Sequence, residues 1–252
     1  MIKYLFLWWT RPKGGVMKGI SKNIKEVLRD QIDGEMLLPL QKLPSERELS
    51  ELFSITRISV KSALYALEIE GLIYREDRRG WFVSPARVKY NPLSRCHFHQ
   101  MISEQARIAE TKLLTVKSIM APSHVASLLE RAELTPIHII ERLRYVDGRA
   151  VLFVENCLIS QFFPNILSEN LAQSLTTLYE KKYGFKNSRS HFDFIPTAAP
   201  EHVAHALNIH PGQQILKICR VNYNQHHEII DCEFEYWRPD AVIISIDNRD
   251  SS

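Results

Sequence analysis

The chain has little of what marks several large protein classes. Its 252 residues hold four cysteines, Cys96, Cys157, Cys219 and Cys232, with no C-x-x-C pair among them. A disulfide-stapled secreted domain needs a denser framework, so reduced thiols and a cytoplasmic location are expected. Cys157, Cys219 and Cys232 sit in apolar, strand-like runs and are expected in the core. No apolar run is long enough to cross a bilayer. The N-terminal run at 4–9 falls far short of the roughly 20 residues a spanning helix needs, and no small-residue cleavage site follows it. Residues 1–16 are expected to be a disordered extension, with no membrane partner. Nor is there an excess of one charge: Lys and Arg number 32, Asp and Glu 29, for a net +3. Basic and acidic residues also balance within 18–84, so any case for nucleic acid rests on where charges stand, not on their sum. Strings such as G-x-S-x-G, G-x-G-x-x-G and the P-loop are missing. Nothing resembles an activated nucleophile, and no catalytic residue is assigned. The histidine pairs at 97/99, 202/205 and 226/227 lack a third ligand at a metal-binding spacing, so no metal and no cofactor are expected. The rest of the composition, 45% hydrophobic and 24% charged, is that of an ordinary globular chain of one large or two small domains.

What is present is concentrated first in residues 43–83, LPSERELSELFSITRISVKSALYALEIEGLIYREDRRGWFV. Ser45, with Glu48 three residues on, forms a capping-box pattern that predicts a helix start. Leu49, Leu52 and Phe53 make its apolar stripe. Residues 54–56 suit a turn, and Thr56 suits the cap of a second helix. There Val60, Ala63, Leu64 and Leu67 recur at helical spacing and are expected to face a core. Arg57, Ser59, Lys61 and Ser62 are left outside near its N-terminus. Gly71 suits the position just past the helix end. Two short alternating strands follow, with Asp77, Arg78, Arg79 and Gly80 at the tip, where arginines can enter a minor groove. An upstream helix over 20–32 packs behind. The order predicts a winged helix-turn-helix whose second helix offers donors to the major groove. A capped helical hairpin in an ordinary core would explain the helices but not the arginine-rich hairpin.

The segment resembles the N-terminal domain of the GntR family of bacterial transcription regulators, whose pattern runs L-P-S-E-R-E-L-A, S-R-T-T-V-R-x-A-L, L-E-x-x-G-L and G-x-G-x-F-V. The resemblance implies that Arg47, Arg57, Ser59 and Lys61 touch double-stranded operator DNA, with Arg79 and Gly80 at the wing. Two positions depart from the pattern. Ile58 stands where Thr or Ser is usual, and Lys61 where Arg is usual. Lysine is a point charge without arginine's fork, so Lys61 is expected to hold a phosphate rather than read a guanine.

The domain is read as 17–84 and residues 85–112 as a linker. That linker is extended at 85–95 and fits either a helix or an extended chain at 98–111. Beyond it the pattern mixes strands and helices. A strand at 113–119 precedes a short helix at 122–131. The alternating run 136–146 meets Asp147-Gly148, the strongest short hairpin signal, and returns as 150–159. An amphipathic helix over 170–183, a strand at 190–196, a helix at 200–207, a second hairpin over 213–237 and a last strand at 241–246 complete an α+β domain on a mostly antiparallel sheet, spanning 113–248.

Arg142 and Arg144, two apart on one strand, share a face. Crowded guanidiniums need an anion or carboxylates between them, and their forks suit phosphate or phosphonate oxygens. Asp231, Glu233 and Glu235 also share one face, so a salt-bridge ladder across the sheet is the competing reading. This half resembles the effector-binding (UTRA) domain of the HutC branch of the GntR family. The likeness runs through Glu141, Arg142, Arg144, Asp147 and Gly148, then Val154-Glu155, Ser174-Leu175, and Asp231 with Tyr236, Trp237, Arg238 and Asp240. It implies a chorismate-lyase-like fold in which Arg142, Arg144 and Ser174 hold an anion while Glu155, Asp231 and Trp237 line the far end. Thr176 replaces a phosphate-facing Tyr, and Asp231 a longer Glu. The strings DRRGWFVSP, RLRYVDGRAV, EN at 155–156, FIPTAAP and EYWRPD are similar to regulators of 2-aminoethylphosphonate utilisation within that branch. The implied protein is a homodimeric, ligand-responsive regulator, its effector a phosphonate or a phosphate ester such as a sugar phosphate. An enzyme on the chorismate-lyase-like domain is the alternative from another class, and the attached winged helix weighs against it.

Overall fold

The computed structural model describes residues 23–94 and 96–246. The expected extension at 1–16 lies outside them, as does the start of the expected first helix. The chain divides after Ala86 into two units.

In the first unit α1 (Ile24–Asp33) is capped by Asn23. Ser45 and Glu48 form the capping box of α2 (Glu46–Phe53) in both directions. Ser54 makes the turn in the left-handed region (φ 53°), and Thr56 caps α3 (Arg57–Ile69). Gly71 (φ 78°) releases the chain into an antiparallel hairpin of β1 (Ile73–Glu76) and β2 (Gly80–Val83). Leu28, Leu49, Leu64, Leu67 and Ile73 are fully buried where the helices meet the hairpin. This is the expected winged helix-turn-helix. The stretch before α2 contributes a third extended segment. Leu43 donates to Trp81 and Val83 to Gln41, covering the hairpin edge that would otherwise stay unpaired.

The second unit is built on a six-stranded sheet. Its strands are β4 (Ala109–Met120), β5 (Pro136–Val146), β6 (Arg149–Ile159), β7 (Arg189–Ala198), β8 (Gln214–Tyr223) and β9 (Ile229–Trp237). They lie in the order β4-β5-β6-β9-β8-β7, every neighbour antiparallel. Helices α5 (Ser123–Leu128) and α7 (Glu201–Leu207) bury Val125, Leu129, Val203 and Leu207 against one face, over Phe153 and Cys157. The other face carries two smaller cores. One gathers Phe163, Leu175, Leu178 and Tyr179, the other Tyr90, Phe98 and Trp237.

Two stretches differ from expectation. Residues 85–112, read as a linker, contain β3 (Val88–Tyr90), which pairs in parallel with β10 (Val242–Ile244), then α4 (Phe98–Ser103) and the start of β4. Short sequence runs hid β3, because its partner lies 154 residues on. Residues 170–183 are not one helix. Asn170 turns the chain by accepting from the Ala172 N–H, and only α6 (Leu175–Leu178), capped by Ser174, is α-helical. A single π-turn, Tyr179–Tyr183, completes it, ending at Gly184 (φ 68°). Such wide turns often occur at functional sites.

Candidate functional site

Register decides which side chains the second unit gathers. Across β5, β6 and β9, Arg142 stands beside Val154 and Glu235, and Arg144 beside Leu152 and Trp237. Asn156 stands beside Glu233, and Glu233 beside Arg220 of β8. Laterally paired residues share a face. Arg142, Arg144, Asn156, Arg220, Asp231, Glu233 and Glu235 therefore project to the side away from α5 and α7. There, together with Ser174, Tyr179 and Phe98, they line a cavity of about 370 Å³.

The cavity wall is a hydrogen-bonded charge array. Arg142 donates to Asn156 Oδ1 at 2.8 Å and to the Gln173 carbonyl at 3.2 Å. Asn156 donates to Glu233 Oε2 at 2.7 Å, and Arg220 to Glu233 Oε1 at 2.9 Å. Burial alone would raise the Glu233 carboxyl. The Arg220, Arg144 and Arg142 charges reverse that and hold it below its ordinary value. Asp231 and Glu235 are each pushed up to about 7 by burial and then by the Glu233 charge. Arg142 is pushed down to about 9 by burial and then by Arg144, so it stays charged at neutral pH. Three guanidiniums thus face one full and two partial negative charges, and the floor favours an anion. Two further facts point the same way. The Nε atoms of Arg142 and Arg144 are buried with no hydrogen-bond partner, whereas Asp231 Oδ1, also buried and unpartnered, calls for a donor. Unsatisfied buried donors are rare in a protein without a ligand to meet them.

The raised carboxyls carry a pH prediction. For Asp231, the contribution to stability is fully present below the unfolded value near 3.8 and is lost as pH rises through about 7. The variant Asp231→Asn is expected to melt close to wild type near pH 4 and above it near pH 8. A melting difference that does not widen with pH would contradict the burial of this charge.

Of the expected effector residues, the structure brings together Arg142, Arg144, Ser174, Asp231 and Trp237. The Ser174 hydroxyl also caps α6. Arg144 lies 4.8 Å over the Phe98 ring. Trp237 supports rather than fronts the wall. It is 1% exposed, its indole N–H donates to Glu235 Oε2 at 2.7 Å, and Tyr90 stacks on it at 6.0 Å. Glu155 does not join them. It stands on the opposite face, between Glu141 of β5 and Phe234 of β9, and its expected place is taken by Asn156. The cause is a bulge. The pairs Tyr145–Ala150 and Arg144–Leu152 leave Val151 unpaired, and one extra residue turns the rest of β6 over. Arg220 and Tyr179 carried no signal of their own in the sequence, and Asn156 entered only as the second residue of the matching Glu155-Asn156 pair. Glu233 and Glu235 did, through their alternation with Asp231.

In the first unit Arg57, Ser59 and Lys61 are exposed on the first turns of α3. The Ser59 and Thr56 hydroxyls are 2.9 Å apart within the cap, and Lys61 reaches over the Tyr65 ring at 5.5 Å. Arg47 is 68% exposed on α2. At the wing Arg79 pairs with Glu76 and lies 5.3 Å over Phe82. Gly80 takes φ 100°, open to glycine alone without strain. The side chain that projects from the tip is Arg78, 94% exposed. The family pattern carries no arginine there, and only the hairpin reading placed Arg78 at the tip.

Among the described residues no helix is long and apolar enough to cross a membrane. Comparison with known proteins agrees with both halves. Residues 104–243 match the UTRA domain family and residues 20–83 the bacterial regulatory proteins of the gntR family. The chain is 29% identical to the Escherichia coli HTH-type transcriptional regulator YihL over 228 residues, covering 89% of this chain and 96% of that protein. It is 28% identical to the Bacillus subtilis HTH-type transcriptional repressor NagR over 207 residues, covering 82% and 85%. In fold it is similar to the crystal structure of PhnF from Mycobacterium smegmatis, at a TM-score of 0.63 and 21% identity over 90% of this chain and all of that one. YihL and NagR carry the names of transcriptional regulators, and none of the three that of an enzyme. A gntR-type winged helix joined to a UTRA domain on an antiparallel sheet identifies the chain as a ligand-responsive transcription regulator of the GntR family, HutC type.

Proposed function

We propose that this regulator senses a small zwitterionic phosphonate, 2-aminoethylphosphonate or a close analogue, and controls genes for its use from operator DNA. The observation that carries the reading is the pair of buried, unpartnered Nε donors on Arg142 and Arg144 in the wall of the cavity. A phosphonate dianion satisfies both forks. Its ammonium end suits Asp231, whose Oδ1 is also unpartnered, with Glu235 nearby on the same strand face. Binding a cation there favours the ionised carboxylates that burial alone disfavours. Arg57, Ser59, Lys61 and Arg47 meet the operator through the major groove and its phosphates, with Arg79, Gly80 and Arg78 at the wing. The working form is a homodimer in the cytoplasm, because one winged helix reads too few base pairs for a specific site.

A second reading is a sugar phosphate, and cavity size favours it. About 370 Å³ exceeds what a two-carbon phosphonate fills. A further relative, 23% identical over 200 residues, is the Escherichia coli mannosyl-D-glycerate transport/metabolism system repressor MngR. Calorimetric titration of the full chain with 2-aminoethylphosphonate, N-acetylglucosamine 6-phosphate and inorganic phosphate separates the two. Saturable heat with the phosphonate alone is the expected result. Binding of the sugar phosphate in its place would overturn the first reading in favour of the second, and silence with all three would reject the anion site.

A further inference from the structure

The outer ridge of α3 holds a residue that the usual polar reading of a recognition helix does not explain. Val60, Ala63, Leu64 and Leu67 are buried on the core side. At 100° per residue, Ile58, Ser62, Tyr65 and Ile69 fall opposite them. Ile58 is 82% exposed and Ile69 86% exposed. Two large aliphatic side chains mostly in water on a 13-residue helix add little to the core. Ile69 is at the C-terminal end, about 16 Å further along at 1.5 Å per residue. Ile58 stands in the first turn, between Arg57 and Ser59, where a recognition helix meets base edges. Its neighbours do not cover it. The Ser59 hydroxyl is held by Thr56 within the cap, at 2.9 Å.

We infer that Ile58 is a specificity-determining residue that reads a thymine methyl group in each operator half-site. An isoleucine side chain has no donor or acceptor. Placed against guanine, adenine or cytosine it would desolvate polar edge atoms without replacing their water hydrogen bonds. Thymine alone among the four bases presents an apolar group, its C5 methyl, in the major groove. The inference rests on the DNA-binding role of the gntR-type unit. It adds a base preference that Arg57 and Lys61, which seek acceptors, cannot supply. It also predicts that 5-methylcytosine, which carries the same methyl, can stand in for thymine at that position.

The test uses the full-length protein and duplexes selected with it from a random-sequence pool. Each thymine of the enriched half-site is replaced singly by deoxyuridine, which removes only the methyl, and affinities are measured by gel shift. One position per half-site is expected to lose about fourfold in affinity, the value of one buried methyl group. The Ile58→Ala variant is expected to bind thymine and uracil duplexes there equally. Arg57→Ala should weaken binding to both duplexes yet keep the methyl dependence. Cytosine placed at the sensitive position should bind better once methylated at C5. If no thymine responds to demethylation, or if the response persists unchanged in Ile58→Ala, the inference is overturned while the DNA-binding unit stands. Failure to enrich any duplex would overturn both.

Discussion

Arg142→Lys is expected to lower effector affinity about 10- to 100-fold while leaving operator binding by the unliganded protein intact. The charge survives the change, but the fork does not. Arginine reaches Asn156 and the Gln173 carbonyl with two of its nitrogens and keeps Nε for a ligand. Lysine is shorter and offers a single ammonium. Losing the one charge-assisted hydrogen bond from Nε, at about 1.5–3 kcal/mol, gives the expected drop. Lysine is the better probe than alanine. Removing the cation altogether would leave Glu233, 7% exposed, with fewer counter-charges and destabilise the unit. Calorimetry with whichever ligand titrates the wild type measures the effect, with a gel shift for DNA. Affinity within threefold of wild type would mean the ligand's anion sits elsewhere. Loss of DNA binding as well would mean the substitution had damaged the fold.

Asp240→Asn is expected to have the largest effect on stability, lowering the melting temperature of the second unit by about 10 °C. Asp240 pairs with Arg149 and with Arg238, whose side chains are 3% and 1% exposed. Burial alone would raise its carboxyl, but the two arginines outweigh burial and hold it below the ordinary carboxylate range. Its contribution is therefore present at neutral pH and is lost only as pH falls through that lowered value. The cluster ties distant pieces together. Arg238 donates from its side chain to the Leu207 carbonyl at the end of α7, and from its backbone to Val151 at the bulge in β6. Neutralising Asp240 removes a carboxylate that both buried guanidiniums share. Breaking a buried ion pair in this way costs about 3–5 kcal/mol, or about 10 °C for a unit of this size. Thermal unfolding followed by circular dichroism measures it. A shift below about 3 °C would show that other partners of the arginines suffice. The result bears on the family resemblance too. Arg238 and Asp240, part of the matching string near the C-terminus, act here as a buried brace rather than as ligand contacts.

The winged helix was legible in the sequence because its signals are local. A capping box, a Thr cap, apolar residues at helical spacing and a glycine past the helix end each act within a few residues, and the structure places all of them as read. The Asp147-Gly148 hairpin was legible for the same reason, with both residues at positive φ. Arg142 and Arg144 could be placed on one face because they are two apart on one strand. The segments 85–112 and 170–183 were not legible. β3 exists only because β10 lies beside it, and the expected long helix gives way to an Asn170 turn and a π-turn under the packing of Tyr179 and Phe163.

Composition and short-range spacing alone determined the winged helix, the antiparallel α+β domain and a pair of arginines suited to an anion. Only the tertiary structure decided what shares the cavity with them. Continued without interruption from the Asp147-Gly148 turn, the β5–β6 pairing would set Glu155 beside Ile140, on the arginine face. The bulge at Val151 sets Asn156 there instead. Side chains alternate strictly along a strand, so one unpaired residue exchanges the two faces of everything after it. No local pattern announces that residue, because its carbonyl is held by Arg238, 87 positions away.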